Sequence, residues 1–433
     1  MNLPFDTGCS MLIRSVLCLL MLCSVSFLPA ADWPAVEKLP EQPEYPPVLK
    51  MFAGSTINSV EEWEQQRRPE LKELIQYYMY GYFPAAPEEI DFELKPEFSL
   101  FEGKARGFEV VITYAIKQGG KKLPPLNLLV ILPRNSEKPV PLFLGMNFCG
   151  NHTLLPNKEI TLTKSWVYDS CGGQDHHAIE GSRGSQFNDW GIDTIIERGY
   201  GFAAFHSADI DPDENDFTNG IHPYFYKKGQ TSPGPHEWGT IAAWAWGAQR
   251  AVDYLVTNPN VNKNQIALIG HSRLGKTALL AAAFDERIAL SIPHQAGCGG
   301  TAPNRGTVGE SVEIINRAFP HWFNNTFPKF SQDVNRIPFD QHSLVALMAP
   351  RPVLLSNAVE DTWADPEGQF LMLKEARPAF DLYGGDNLLD EEQPKLGKLS
   401  AGRLGYYIRE GNHSMTRGDW QVFLNYADTH FGR

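Results

Sequence analysis

One short segment of this chain has residue types and a spacing that could carry out chemistry on an ester or a phosphate. It reads Gly270-His271-Ser272-Arg273-Leu274-Gly275-Lys276-Thr277 and lies between a predicted strand and a predicted helix. As a nucleophile elbow, the turn would expose the Ser272 hydroxyl at the strand tip and leave backbone N–H groups free to bind an oxyanion. As a P-loop, the same residues satisfy the phosphate-binding pattern G-x-x-x-x-G-K-[ST].

The position of the segment favours the elbow over the P-loop. A P-loop normally opens its domain, whereas this turn follows more than half of the chain, and no apolar run ending in a magnesium-binding Asp is evident. The segment departs from the usual G-x-S-x-G pattern, because Leu274 occupies the second small position and Gly275 comes one residue later. We therefore predict that Ser272 is a nucleophile, and a purely structural turn is the alternative.

A serine hydroxyl is a poor nucleophile until a base removes its proton. His413 comes directly after the last predicted strand and before the last predicted helix, which is where α/β-hydrolases place that base. His321 and His342 lie in the same half of the chain and are the alternatives, but neither follows a predicted strand. We predict that His413 is the base.

The elements around these residues alternate between strand and helix. The hydrophobic pattern predicts strands at residues 108–114, 126–132, 140–148, 265–269, 288–292, 353–355 and 406–408, and helices at residues 61–80, 238–256, 277–284, 343–348 and 419–430. Such an alternation predicts an α/β fold with a mainly parallel central sheet and helices on both faces.

Composition and the N-terminus limit where the protein works and what it binds. The 433 residues include 38 Lys and Arg against 51 Asp and Glu, a net charge of −13 that argues against a nucleic-acid partner. Residues 1–31 resemble a signal peptide, with Arg14, the apolar run Val16–Cys23 and a small-residue end at Ala30-Ala31. We expect a secreted or periplasmic protein with no stable membrane insertion after cleavage; a retained membrane anchor is the alternative.

Residues 32–58 are rich in proline and predict an extended lead-in, and residues 59–433 predict a single catalytic domain. Cleavage of the signal peptide leaves Cys149, Cys171 and Cys298, which allows one disulfide and one free thiol without fixing the pair. The aromatic residues of loop 301–338 predict either a binding surface or a small satellite core.

No metal or dinucleotide cofactor is predicted. The sequence contains neither an H-E-x-x-H motif nor a G-x-G-x-x-G motif after a predicted strand. The pair His176-His177 and the acidic run at residues 209–214 do not match a metal-binding loop, and we interpret both as loop residues near a cleft.

The turn at Ser272 is similar to the G-C-S-R-x-G-K signature of the glucuronoyl esterases, carbohydrate esterase family 15, with His271 in place of the usual Cys. The resemblance runs from Trp63 to Phe431 and includes the segments Trp238–Trp246, Phe319–Phe323 and Glu360–Gly368. It implies an α/β-hydrolase fold and a serine esterase without a cofactor. It also implies hydrolysis of esters of (4-O-methyl)glucuronic acid on glucuronoxylan, such as lignin–carbohydrate links.

The resemblance also implies the remaining site residues. Fungal members carry the acid as a Glu where this chain has Gln295, and an amide cannot stabilise an imidazolium by charge. Many bacterial members use an Asp after the next strand, which corresponds to Asp361; the adjacent Glu360 is the alternative. Arg273 would bind the oxyanion, and three further residues would bind the sugar: Lys276, Glu310 (with Glu313 as the alternative) and Trp363.

Two other functions remain open. The chain could be another carbohydrate esterase, such as an acetyl xylan esterase, with the same serine chemistry. It could also be a catalytically silent carbohydrate-binding relative, in which Gln295 marks the loss of the acid rather than its relocation. We expect a monomer whose partner is the polysaccharide substrate.

Overall fold

Ten strands form one sheet in the computed structural model, which describes residues 33–115 and 122–433. The predicted signal peptide, residues 1–31, lies outside the described residues. The strands are β1 (Glu89–Leu94), β2 (Phe98–Leu100), β3 (Ala105–Ala115), β4 (Leu126–Pro133), β5 (Val140–Asn147), β6 (Gly201–His206), β7 (Val261–His271), β8 (Leu290–His294), β9 (Val353–Ala358) and β10 (Leu404–Arg409).

The order of the sheet is β1-β3-β4-β6-β5-β7-β8-β9-β10, with β2 paired to β3. The six strands from β6 to β10 in this order are parallel, whereas β1 to β4 form antiparallel pairs and β4 joins β6 antiparallel. The predicted mainly parallel sheet of an α/β-hydrolase fold is confirmed. The antiparallel end includes β1 and β2, which the hydrophobic pattern did not predict.

The described helices are α1 (Val60–Glu62), α2 (Arg68–Ile75), α3 (Phe187–Trp190), α4 (Ile192–Glu197), α5 (Thr240–Leu255), α6 (Arg273–Phe284), α7 (Val312–Ala318), α8 (Gln341–Ala346), α9 (Pro366–Asp381) and α10 (Arg417–Phe431). Two π-helical segments, Trp63–Arg67 and Gln76–Tyr80, extend the region of α1 and α2. Helices α5, α6, α8 and α9 pack along one face of the sheet, and α3, α4 and α10 pack together with the core on the other.

Burial on both faces explains the continuous apolar runs of the central strands. Every residue of β5 is buried, and Phe143 packs against Trp420 of α10 with ring centroids 5.6 Å apart. A Cβ on Gly145 would lie 2.4 Å from the ring of Trp190, so only glycine allows that ring to approach β5. Burial of such large side chains removes enough apolar surface from water to fix the layer order around the sheet.

The Pro-rich segment packs on the rest of the chain, and residues Pro34–Arg433 form one compact unit. Val36, Leu39, Val48 and Ile57 are buried within it. The buried His342 hydrogen-bonds to the Pro46 carbonyl through Nε2, which fixes this segment to α8. This contact gives His342 a structural role.

A disulfide joins Cys149 to Cys171, and Cys298 is a free, buried thiol. The bond closes a loop within the connection between β5 and β6; this loop carries Tyr168 and starts just after the carboxyl end of β5. Among residues 33–115 and 122–433, no helix is long and apolar enough to cross a membrane.

Candidate active site

The carboxyl ends of five of the parallel strands are followed by polar residues that converge on one edge of the sheet. Ser272 follows β7, Gln295 follows β8, Asp361 lies in the loop after β9 and His413 in the loop after β10. Asp213 lies in the loop after β6. Open α/β sheets bind their ligands at this edge, because the loops after parallel strands meet there.

Ser272 occupies a strained turn between β7 and α6. Its φ of 59° and ψ of −125° lie in a backbone region that non-glycine residues rarely adopt. The turn is held by Ser272 N, which donates to the His294 carbonyl at 2.9 Å, and by Gly275 N, which donates to the Ser272 carbonyl at 2.8 Å. This is the backbone conformation expected of a nucleophile elbow.

Close packing explains why the glycines of this turn fall where they do. A Cβ on Gly270 would lie 1.9 Å from the Leu274 carbonyl oxygen, and a Cβ on Gly275 would lie 2.9 Å from the His294 carbonyl oxygen. The second glycine is therefore needed at position 275, where α6 crosses β8, rather than at position 274, whose side chain is buried. The elbow therefore keeps a second glycine, at position 275 instead of position 274.

His413 and Asp361 are brought together although 52 residues separate them. His413 Nδ1 lies 2.7 Å from Asp361 Oδ2, so the ring can donate to the carboxylate through Nδ1 and keep Nε2 for a proton acceptor role. Asp361 is buried, whereas the side chain of His413 is 39% exposed and reaches the solvent side of the edge. Glu360, the alternative acid, is exposed.

Gln295 and His271 support the loop of His413. Gln295 Oε1 accepts hydrogen bonds from the backbone N–H of Ser414 and from His271 Nε2, each at 2.9 Å. Because the Ser414 N–H can only donate, the amide oxygen must face it, and His271 therefore carries its proton on Nε2. Burial lowers the pKa of His271 well below its usual value, so this ring is neutral.

His271 also lies against the predicted base, with the ring centroids of His271 and His413 4.6 Å apart. A neutral ring there adds no positive charge next to an imidazolium that forms on His413. His271 and Gln295 are thus two neutral side chains that hold the His413 loop, His271 through its hydrogen bond to Gln295 and Gln295 through its hydrogen bond to Ser414.

Arg273 is held by an acidic anchor and an aromatic cage. Its Nη1 donates to Asp213 Oδ2 at 2.6 Å and to the Tyr168 hydroxyl at 2.9 Å. The guanidinium carbon lies 4.8 Å from the ring centroid of Trp322 and 5.1 Å from that of Phe319, which stack on each other at 3.7 Å. Cation–π contacts and the ion pair fix the orientation of the guanidinium at the start of α6.

Asp213 accepts four hydrogen bonds from side chains. Besides Arg273 and Tyr168, His321 Nε2 and Trp322 Nε1 each lie 2.8 Å from Asp213 Oδ1. Burial alone would raise the pKa of Asp213, but the hydrogen bond from His321 and the Arg273 charge outweigh it and hold that pKa well below its usual value. Asp213 therefore stays ionised and anchors Arg273, and His321 serves this anchor.

Loop 301–338 contributes both to the site and to the core. Phe319, His321 and Trp322 contact the anchor of Arg273, whereas Phe327 and Phe330 are buried beneath the loop. The satellite core is therefore confirmed at Phe327 and Phe330, and the binding surface stays a prediction for the part of the loop that contacts the anchor of Arg273.

Three predicted sugar-binding residues form a second cluster beside the elbow. Lys276 Nζ donates to the carbonyls of Ala296 and Cys298 at 2.6 and 2.5 Å and lies 3.8 Å from Glu310 Oε2. Glu310 accepts a side-chain hydrogen bond from Trp363, a residue that is 54% exposed. Burial lowers the pKa of Lys276 and raises that of Glu310, and each charge opposes the shift of the other.

The alternative Glu313 lies elsewhere, on α7, where its carboxylate is 4.0 Å from Arg317 on an exposed helix face. All seven residues predicted for the site thus follow the carboxyl ends of β7, β8, β9 or β10, at one edge of the sheet. In the part of the chain that the structure describes, no three His, Cys, Asp or Glu side chains are grouped so that they could hold a metal ion.

Sequence reasoning missed Asp213, Tyr168 and the support from His271. The sequence does contain a pattern that predicts the position of Asp213. The apolar run at residues 201–205, which is part of strand β6, precedes the acidic run. With that strand assigned, the acidic run would have been placed at the carboxyl edge of the sheet beside Ser272. Tyr168 has no such signal, because its loop contains no regular pattern and is fixed by tertiary contacts.

Comparison with known proteins gives a consistent set of relatives. A family model described as "Glucuronyl esterase, fungi" matches residues 187–384. The carbohydrate esterase MZ0003 of an unknown prokaryotic organism is 43% identical over 393 residues, which cover 90% of this chain and 90% of that protein.

Two solved structures are similar over nearly their whole length. A promiscuous CE15 esterase from a marine bacterial metagenome is 41% identical, with a TM-score of 0.83 over 91% of this chain and 98% of that chain. A glucuronoyl esterase from Solibacter usitatus is 36% identical, with a TM-score of 0.84 over 92% of this chain and 100% of that chain.

Proposed function

The chain belongs to carbohydrate esterase family 15, the family of the glucuronoyl esterases, and is a carboxylic ester hydrolase; from this premise we propose its substrate and the roles of its residues. The substrate is an ester of (4-O-methyl)glucuronic acid on glucuronoxylan, such as a link between that acid and a lignin alcohol. The observation that carries the proposal is the 2.7 Å contact of His413 with Asp361 at the edge where Ser272 occupies its strained turn.

The reaction proceeds through an acyl-enzyme. His413 Nε2 takes the proton of Ser272, whose oxygen attacks the uronoyl carbonyl; the tetrahedral intermediate then expels the alcohol, which takes the proton from His413. Water repeats the sequence on the acyl-enzyme and releases the uronic acid. Asp361 holds the His413 ring in the required tautomer and stabilises the imidazolium.

Arg273 stabilises the oxyanion together with the backbone N–H of the elbow. Both hydrogen bonds of its guanidinium to described side chains use Nη1, so Nη2 and Nε are available as donors to a developing charge. A charge-assisted donor fixed in advance is worth more to the transition state than a mobile one, because it needs no reorganisation during the reaction.

Asp213→Asn tests this role without touching the reacting atoms. The amide removes the negative charge that orients Arg273. Its NH₂ group also replaces one acceptor oxygen and would face the groups that donate to Asp213. We expect kcat to fall by about 10²-fold with a smaller change in KM, as for the loss of an oxyanion donor. Steady-state kinetics on benzyl glucuronate measures this.

The control for this variant is Asp216→Asn, the same chemical change at an exposed carboxylate three residues away. It should leave kcat within about twofold, because surface substitutions rarely matter to the site. An equal fall in kcat in both variants, or no fall in Asp213→Asn, would contradict the proposal that Arg273 stabilises the transition state.

Lys276, Glu310 and Trp363 bind the hydroxyls and one face of the uronic acid. The exposed Trp363 ring offers an apolar face for a pyranose, and the Lys276 and Glu310 side chains beside it supply a donor and an acceptor. A site that hydrogen-bonds the acyl sugar favours a uronate ester over an acetyl ester, whose acyl group has no hydroxyls to offer.

The protein works outside the cytoplasm after cleavage of residues 1–31. The disulfide between Cys149 and Cys171 supports this, because such bonds persist in oxidising compartments.

Hydrolysis of benzyl glucuronate beside acetylated xylan tests the substrate. We expect release of glucuronate with kcat/KM at least about tenfold above that for acetate. A hydrogen bond to a charged side chain contributes about 1.5–3 kcal/mol, and an acetyl group makes none of those to Lys276 and Glu310, while about 1.4 kcal/mol corresponds to a factor of ten. Acetate release without glucuronate would assign the chain to the deacetylases. Similar rates would match a broad ester range, which is the second candidate because the 41%-identical metagenomic relative is a promiscuous esterase.

A further inference from the structure

The loop that carries the predicted base is wound around one arginine side chain. Arg409 is the last residue of β10, and its guanidinium faces the backbone of the residues that directly follow it. Its Nη1 donates to the Glu410 carbonyl at 2.8 Å and lies 3.5 Å from the Asn412 carbonyl, and its Nη2 donates to the Ser414 carbonyl at 2.7 Å. The carbonyls of the residues on both sides of His413 therefore face the same cation.

Gly411 allows the chain to turn this closely around the guanidinium. Its φ of 95° lies in the left-handed region that favours glycine, and a Cβ there would lie 3.1 Å from Arg409 Nη1. The Ser414 side chain closes the turn, because its hydroxyl accepts from Arg409 Nη2 at 3.0 Å and donates to the Asn412 carbonyl at 3.2 Å. The conformation of this loop therefore depends on a side chain with several donors at position 409.

Asp419 fixes the guanidinium from the first turn of α10. Its carboxylate is fully buried, and its two oxygens lie 2.9 and 3.1 Å from Arg409 Nε, which donates to them. The same carboxylate accepts from the backbone N–H and the hydroxyl of Thr416, each at 2.8 Å, and so caps α10. The pair joins the end of β10 to the start of α10, and because its charges cancel, it brings no net charge to the neighbourhood of His413.

The position of the His413 ring depends on its backbone. The side chain is 39% exposed, so a packed core does not enclose it. In the proposed mechanism the ring must hold Nδ1 on Asp361 and present Nε2 to Ser272. A displacement of about 1 Å in such a group can cost about 10²-fold in rate. Winding the loop around a fixed side chain supplies the restraint that packing does not.

A guanidinium is the side-chain group that serves these acceptors. It is planar and carries its N–H donors on three nitrogens in a fixed fork, whereas a lysine ammonium carries its donors on a single nitrogen. The acceptors lie in different directions, with the Asp419 carboxylate at Nε, the Glu410 carbonyl at Nη1 and the Ser414 carbonyl at Nη2. A lysine at position 409 would therefore keep the charge of the pair but would not hold the loop in the same shape.

We propose that Arg409, oriented by Asp419, is a positioning residue that acts on the reaction through the place at which it holds His413. The inference rests on the proposed role of His413 as the base, and it adds the groups that fix that base. Because the base acts both in the formation and in the hydrolysis of the acyl-enzyme, its displacement slows both steps and leaves binding of the ester unchanged.

Arg409→Lys tests this role in two reactions. With benzyl glucuronate we expect kcat to fall by about 10- to 10²-fold, with KM within about twofold of the wild-type value. The rate at which diisopropyl fluorophosphate labels Ser272 should fall by a similar factor, because this reaction needs the same base and no sugar. The kinetics of both reactions, with thermal unfolding of each variant, measure this.

Asp419→Asn is the second variant and should lower both rates in the same direction. The amide has one acceptor oxygen, so its NH₂ group must face a donor either of Arg409 or of Thr416. The guanidinium then loses the charge that orients it. If one of the two variants does not fold, the other provides the comparison.

Arg403→Lys is the matched control. Arg403 directly precedes the opposite end of β10 and donates to the Gly384 carbonyl at 2.9 Å, so the same substitution removes a comparable contact away from the site. It should leave kcat and the labelling rate within about twofold of the wild-type values.

A His413→Ala background separates positioning from a general structural role. There Arg409→Lys should cause no further loss of rate, since residues that act as one unit are not additive. An equal loss in both backgrounds, or wild-type kcat in folded Arg409→Lys, would overturn the proposal, as would a wild-type enzyme that the fluorophosphate does not label at Ser272. If the wild type cleaves no uronate ester but labelling of Ser272 slows in Arg409→Lys, the proposed substrate fails and the positioning role stands.

Discussion

Ser272→Ala should lower kcat for benzyl glucuronate by about 10⁶-fold, to the level left by substrate binding and the oxyanion donors alone. The elbow places this side chain at the carboxyl edge of the sheet, beside the residues that hold the loop of His413. Alanine keeps the backbone geometry of the turn but removes the only atom that can form the acyl-enzyme. Single-turnover kinetics and mass spectrometry of a trapped acyl-enzyme measure the loss directly.

The matched control is Ser136→Ala, which removes a hydroxyl from an exposed loop. Its rate should equal that of the wild type. Thermal unfolding of Ser272→Ala should show a folded protein, so that the loss of rate is chemical. Residual activity above about 1% of wild type in a preparation free of other esterases would mean that Ser272 is not the nucleophile.

Asp361→Asn should lower kcat on the order of 10⁴-fold and leave KM nearly unchanged. The amide keeps the shape of the side chain, but it can present its NH₂ group to His413 Nδ1, which lies 2.7 Å from the carboxylate. The ring would then hold its proton on the wrong nitrogen, and the imidazolium would lose the charge that stabilises it. Steady-state kinetics on benzyl glucuronate measures this loss.

Glu360→Gln is the control for this variant, because it makes the same chemical change at the adjacent, exposed carboxylate. It should keep the wild-type kcat. A Ser272→Ala/Asp361→Asn double variant should be no slower than Ser272→Ala, since residues that act as one unit are not additive. A wild-type rate in Asp361→Asn would contradict relocation of the acid from position 295.

The role of Gln295 explains why such a relocation is compatible with the fold. Its side chain is buried, and its oxygen already serves two donors, the backbone of Ser414 and the ring of His271. A buried carboxylate there would have to be paired to repay its desolvation. The neutral amide holds the His413 loop, and in the proposed mechanism Asp361, in the loop after β9, supplies the charge that stabilises the imidazolium.

Local sequence determined several features of this protein. The elbow depends on neighbouring residues, because only glycine tolerates the contacts at positions 270 and 275 and the strand and helix on either side are strongly apolar. The apolar runs at residues 140–147 and 266–270 identify strands buried on both faces, since few other structures bury every side chain of such a run. The order of Ser272, Asp361 and His413 follows from the order of those strands.

The less apolar elements were not predicted from the sequence. Strand β1 has mostly exposed or half-exposed residues, so its pairing with β3 rather than its own pattern makes it a strand. Helix α9 contains Pro378 and many polar residues, and its packing against α8, β9 and β10 stabilises it. In both cases the tertiary context outweighs a weak local preference.

The tertiary structure alone decided which distant residues meet. Asp213 reaches Arg273 across 60 residues because only β5 separates β6 from β7 in the sheet, so the loops after β6 and β7 lie close together. Cys149 pairs with Cys171 in the same connection between β5 and β6, whereas Cys298 follows β8. After β9 the side chain of Asp361 is buried and contacts His413, whereas the side chain of Glu360 is exposed. Sequence alone does not show which of the two neighbours is buried, because that depends on tertiary packing. Spacing along a chain fixes turns of a few residues, whereas contacts between loops depend on strand order, which long-range pairing determines.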